Sequence, residues 1–106
     1  LFTSFALGAD DYAEMCNAIC GTEYTGTQIM EAGDRIYNIE RQFNMMAGLT
    51  PADDTLPKRL LEEEVPEGPS KGNVNRLSEM LPEYYAKRGW GADGIPTEEK
   101  LKELGL

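Results

Sequence analysis

A chain of 106 residues has the length of a single domain, and its 10 Lys and Arg against 19 Asp and Glu leave a formal net charge of −9. That balance argues against a nucleic-acid surface, which needs clustered cations, and equally against an anionic membrane surface. The absence of histidine removes the commonest general base and the commonest metal ligand, and ordinary shares of apolar and charged residues exclude global disorder.

The opening "LFTSFAL" is nearly all apolar, which is unusual for a free terminus. It has no basic flank and is too short and too broken by Thr3 and Ser4 to be a secretory signal. With no run of about 18 apolar residues, no membrane span is expected, and no targeting signal points away from the cytoplasm. Leu1, Phe2, Phe5 and Leu7 are candidates for a face evolved to meet a partner.

"DDYAEMCNAICG" predicts a first helix, with Asp10 as cap, Asp11 in the first turn and Gly21 as the stop. Tyr12, Met15, Cys16, Ile19 and Cys20 would share one face. The two cysteines stand four apart, a spacing that suits half of a metal site. With no further Cys or His to complete it, the simpler expectation is a pair of small buried thiols.

The strongest helical pattern is "TGTQIMEAGDRIYNIERQFNMMAG". Ile29, Ala32, Ile36, Ile39, Phe43 and Met46 form a continuous apolar stripe, expected to pack on the first and third helices. Thr25 or Thr27 can cap the start and Gly48 suits the left-handed stop. Gly33, costly inside a helix, points to a close packing contact, and Met45 and Met46 to core filling.

Prolines at 51, 57, 66 and 69 then punctuate a long connector. Pro57 can open a short helix, and "VPEGPSKG" reads as a turn-containing strap laid over another surface. "RLSEMLPEYYAKRGW" predicts a third amphipathic helix, with Leu77, Met80, Leu81, Tyr84 and Tyr85 as its apolar face and either a kink or a start at Pro82. Trp90 with Tyr84 and Tyr85 reads as a core anchor. Thr97 caps a final helix that turns Leu101 and Leu104 inward. The fold class is therefore all-α, a small irregular helical domain with a long proline-rich connector.

No catalytic, cofactor-binding or metal residue emerges. Asp53 with Asp54, Glu62 to Glu64, and Glu98 with Glu99 are explained by capping and solvation. "GADGIPTEEK" is not a calcium loop, because Lys100 falls where the closing glutamate belongs. The glycines at 72, 89, 91 and 94 form no phosphate-binding pattern.

From "GDRIYNIERQFNMMAGLTPADDTLPKRLLEE" through "VPEGPSKG", "MLPEYYAKRGW" and "GIPTEEKLKELGL", the chain resembles the C-terminal end of the aldehyde ferredoxin oxidoreductases. The likeness is strong over residues 29–106 and weaker before them. It implies a cytoplasmic parent enzyme that holds a tungstopterin (or molybdopterin) and one [4Fe-4S] cluster, oxidises aldehydes to carboxylic acids and passes electrons to ferredoxin. It also implies that residues 1–106 are a C-terminal helical domain walling the cofactor site, with the other domains of the parent as partners. In the family, a motif of the type Asp-x-x-Gly-Leu-Cys-x-Phe supplies a pterin contact and a cluster cysteine. The "LF" start resembles the tail of that motif, so the apolar opening would continue a buried segment.

Cys16 and Cys20 do not match the cluster motif, and no tungsten, molybdenum, iron or pterin is expected in this chain. Ferredoxins are acidic, so like-charge repulsion predicts that ferredoxin does not dock mainly here. The alternative reading, from another class, is a free-standing acidic helical module that docks a basic protein without catalysis.

Overall fold

The computed structural model describes residues 5–106. Among these residues five α-helices follow in order: α1 (Ala9–Cys20), α2 (Gly26–Met46), α3 (Lys58–Glu62), α4 (Leu77–Arg88) and α5 (Glu98–Leu104), with a 3₁₀ turn at Pro51–Asp53. The one pairing of β type among the described residues is an isolated antiparallel bridge between Trp90 and Pro96. The all-α expectation holds, including the proline-rich connector.

Local chemistry sets most of the boundaries. Thr25 and Gln28 form a reciprocal capping box at the start of α2: Gln28 N–H donates to the Thr25 hydroxyl at 3.3 Å, and Thr25 N–H donates to the Gln28 side chain at 2.9 Å. Thr97 caps α5 in the same way, by accepting from Lys100 N–H at 3.2 Å. Gly21, Gly89 and Gly105 close α1, α4 and α5 in the left-handed region that only glycine enters freely. Pro82 sits inside α4, so the helix runs through the proline rather than starting at it.

Asp10 does not cap its own helix. It lies within α1, and its carboxylate accepts the N–H of Gly26 at 3.2 Å, serving the first turn of α2 instead. The start of α1 is held by Gly8 N–H donating to Asp11 at 2.7 Å. The two helices come so close here that a Cβ on Gly26 would lie 2.2 Å from an Asp10 carboxylate oxygen. Asn17 staples the intervening turn, donating to Tyr24 O and accepting from Tyr24 N–H and the Thr22 hydroxyl, each at 2.8 Å.

Four expectations about burial are corrected. In α1 only Ala13 is buried; Met15, Cys16, Ile19 and Cys20 are exposed, so the two thiols are free surface groups. The reason is the site of contact: α1 meets α2 at the Ala13 and Gly26 end, and its last turn is engaged through polar Asn17. In α2, Ile29 and Ala32 are half-buried, but Ile36, Ile39, Phe43 and Met46 face outward, Phe43 at 68% and Met46 at 87% exposure. Met45 is half-buried, so the methionine pair is no core filler. Gly33 has no neighbour that a Cβ would meet within 4 Å, and the close approach belongs to Gly26.

In α4, Tyr85 is buried and Leu77 and Leu81 are half-buried, while Met80 and Tyr84 are exposed. Leu104 of α5 is buried and Leu101 half-buried, as the final helix required. Residues 62–76 are all exposed and keep their shape by their own turn bonds, Val65 N–H to Asn73 O at 3.0 Å and Gly72 N–H to Val65 O at 2.9 Å. The strap does not cover this chain.

The shape follows from these exposures. The molecule measures 51 × 36 × 21 Å with a radius of gyration of 17.8 Å. A compact chain of this length has a radius of about 13 Å. Its accessible surface is 8385 Å², against about 5900 Å² for a folded monomer of its mass.

Candidate functional site

The inward side of α2 is polar. Asp34, Asn38 and Arg41 step by four and three, the same helical rhythm as the apolar stripe but round the other side of the helix. Asn38 is fully buried and Arg41 is 9% exposed. Buried groups of this kind must find partners, and each does.

Asn38 accepts from the Trp90 indole N–H at 2.8 Å and donates to the Asp34 carbonyl at 2.8 Å. Arg41 donates through Nε to Gly94 O at 2.9 Å and through Nη1 to Asp54 at 2.7 Å. Its Nη2 pairs with the second Asp54 oxygen, which also accepts the Tyr85 hydroxyl. This two-point guanidinium–carboxylate pairing fixes orientation as well as charge. A Cβ on Gly94, whose φ is +68°, would fall 2.6 Å from an Arg41 nitrogen and 2.8 Å from the Tyr85 ring. Glycine is therefore needed there for both conformation and space.

The electrostatics follow from the partners. Arg41, with help from Tyr85, holds the Asp54 carboxyl below its ordinary value, and Asp54 in turn raises Arg41. Burial, then the hydrogen bond to the Asp54 carboxylate, pushes the Tyr85 hydroxyl up. The pair is a closed ionic lock, with the proton kept on tyrosine and off aspartate.

A second cluster ties α2, α4 and α5. Asp34 receives Arg88 and Lys100, each at 2.9 Å, and its carboxyl is held down chiefly by Lys100. The Arg88 guanidinium lies 4.3 Å from the centre of the Tyr37 ring. Arg35 satisfies the end of α5 by donating to Leu104 O at 2.9 Å. Between α2 and α4 a cleft of about 190 Å³ opens, lined among others by Tyr37, Glu40, Arg41, Asp54, Tyr84 and Trp90.

Other residues singled out from sequence fall as follows. Leu1 and Phe2 lie outside the described residues; Phe5 is 90% exposed and Leu7 half-buried. Trp90 is buried as an anchor, packing edge-on to Tyr84 with ring centres 5.8 Å apart. Asp53 does cap, accepting from Thr50 N–H at 2.7 Å. Asp54 departs from the expected solvation and carries the ionic lock. Glu62 to Glu64 are exposed, and Glu98 and Glu99 occupy the first turn of α5.

The lock itself was not anticipated, because its members lie far apart in the chain. The available signal was the polar step Asp34, Asn38, Arg41 beside a lone tryptophan. Among the described residues no group of three or more His, Cys, Asp or Glu side chains converges to hold a metal, and no helix is long and apolar enough to cross a membrane.

The arrangement is thus a helix clamped from within by polar ties and apolar towards the outside. Comparison with known proteins gives this geometry a setting. The chain is 61% identical over its whole length to the tungsten-containing aldehyde ferredoxin oxidoreductase of Pyrococcus abyssi and 59% identical to that of Pyrococcus horikoshii, and it spans 18% of the length of each. It is 33% identical over 93% of its length to a Pyrococcus furiosus protein named "Aliphatic sulfonate oxidoreductase, WOR-like subunit", spanning 17% of that protein. All of residues 1–106 match the family described as aldehyde ferredoxin oxidoreductase, domains 2 and 3, and the chain belongs to that family.

Proposed function

We propose that this chain is the C-terminal segment of a tungsten-dependent aldehyde oxidoreductase and that its work there is structural. It walls the cofactor-bearing part of the enzyme and offers an apolar face that the remaining domains cover. The reaction of the whole enzyme is the oxidation of an aldehyde to a carboxylic acid in the cytoplasm. Water supplies the added oxygen, two protons are released, and two electrons pass to ferredoxin.

The observation that carries this reading is the outward Ile36, Ile39, Phe43 and Met46 stripe on a helix whose inner side is already clamped. Burying each such side chain is worth roughly 1.5–3 kcal/mol, so leaving four of them to water is costly. Phe5 and Ile19 add to the uncovered surface, at 90% and 84% exposure.

This reading assigns no chemical step to residues 5–106. Substrate choice lies elsewhere too. Relatives named for an aldehyde and for an aliphatic sulfonate share this segment, as expected for common framework. The charge of −9 favours a docking place for acidic ferredoxin on another part of the enzyme.

The test is the double substitution Ile39→Glu with Phe43→Glu, made both in the 106-residue chain and in the complete enzyme. In the chain alone the urea midpoint should hold, to within about 0.5 kcal/mol in stability. In the complete enzyme the same pair should loosen domain association, seen as faster proteolysis and lost activity. An unaffected complete enzyme, or equal destabilisation of both forms, would overturn the reading.

A further inference from the structure

The cleft between α2 and α4 has a chemistry that the structural role does not use. Tyr37 lies nearly parallel to Trp90, with ring centres 6.1 Å apart and planes inclined by 16°. Tyr84 meets Trp90 edge-on, and Tyr85 leans on it at 6.0 Å. Four aromatic rings therefore converge on one place.

This box already draws cations from its own chain. Arg41 is 4.9 Å from the Trp90 ring centre, and Arg88 is 4.3 Å from that of Tyr37 and 5.5 Å from that of Tyr84. Both guanidinium charges are answered, by Asp54 and Asp34. The lining keeps one carboxylate over: Glu40 makes no ion pair or hydrogen bond among the described residues. The rims formed by Tyr37 and Tyr84 are exposed, so the cleft is open to solvent.

A space of about 190 Å³ is smaller than the range of roughly 300–1,000 Å³ typical of sites for larger small molecules. It suits one compact head group. The exposed rims of Tyr37 and Tyr84 beside the unpaired Glu40 carboxylate favour a positive one. From this geometry we infer that the cleft is a binding site for a small organic cation, an alkylammonium or guanidinium group. The cation is either the head of a Lys or Arg side chain from another part of the enzyme or a free amine. The site stands whether or not the outward stripe of α2 is covered.

Trp90 is the sole tryptophan, so its emission reports on the cleft directly. The 106-residue chain is titrated with methylguanidinium and with tetramethylammonium at ionic strength held constant with sodium chloride. Neutral methylurea is the control. A saturable change in emission with the cations and none with methylurea is expected, with affinity weakened about threefold to fivefold by the exposed substitution Glu40→Gln. A response that never saturates, an equal response to methylurea, or binding unchanged by Glu40→Gln overturns the site. Saturation-transfer NMR of tetramethylammonium on the complete enzyme then identifies the source. Transfer there indicates a free cation. Loss of transfer, with a lowered melting temperature for Glu40→Gln in the complete enzyme, indicates a resident Lys or Arg side chain. No transfer to either form overturns the proposal.

Discussion

The two sides of α2 invert the usual rule for an amphipathic helix. Asn38 and Arg41 are buried, while one residue beyond Asn38 and two beyond Arg41, Ile39 and Phe43 face solvent. The inner side is specific because Asp34, Asn38 and Arg41 each have a named partner outside α2, so one register of α2 satisfies it. The outer side is adhesive because apolar surface is attracted without direction. One helix thus holds its own chain by directed bonds and leaves its hydrophobic surface open.

The largest break in this contrast is expected at the lock. Asp54→Ala leaves the Arg41 guanidinium buried without its counter-charge; removing one partner of a buried pair costs about 3–5 kcal/mol. Because Asp54 is 21% exposed, the lower end, about 3 kcal/mol, is the expected loss in a urea titration of the 106-residue chain. Next is Asn38→Leu, a substitution that makes the inner side more apolar. It should destabilise by about 1–3 kcal/mol, because the Trp90 indole N–H is left buried without an acceptor. Stabilisation by that substitution would show the inner side to be an ordinary apolar seam.

A smaller effect separates the two sides by pH. Asp54 and Asp34 both have carboxyls held below the ordinary 3.8, by Arg41 and by Lys100 respectively. A carboxyl depressed in the folded state adds stability that is fully present above 3.8 and is lost as the pH falls through the lowered folded value. Acid unfolding followed by circular dichroism should therefore begin below pH 3.8 and become shallower in Asp34→Asn. The outer side contains no such group in its stripe and should not contribute. Smallest of all, Phe43→Ser or Met46→Ser should change the stability of the isolated chain by no more than about 0.5 kcal/mol. A loss of 2 kcal/mol or more, on the order of a buried side chain, would mean that the stripe is packed within the chain after all.

Much of the fold was legible in the residues. Thr25, Thr97, Gly21 and Gly105 act within a few positions of themselves, so the start of α2, the end of α1 and both ends of α5 could be read locally. Trp90 was legible as an anchor because so large a ring needs burial and a partner for its N–H. Periodicity located the stripe of α2 but not its destination. An apolar face repeats in the same way whether it is covered by its own chain or by another. The methionines, the cysteines and Ile19 were misplaced for that reason. Gly33 misled because a glycine inside a helix need not mark a contact; Gly26 does, through Asp10, a residue sixteen positions away. Asp54 looked like a surface acid because its partners Arg41 and Tyr85 are remote in sequence.

The lengths of these ties also set an order in time. The Asn17 staple links residues seven apart, whereas the bond from Arg41 to Gly94 closes a loop of 53 residues and that from Arg35 to Leu104 one of 69. Closing a longer loop costs more chain entropy, so the α1–α2 hairpin is placed to form first and the ties from Arg41 to Gly94 and from Arg35 to Leu104 last. Contacts made after the folding barrier act on the rate of opening and leave the rate of folding almost untouched. That pair of long-range ties is in that sense a timer. It sets how long the clamped helix stays closed, and so how long its apolar face is held in one shape.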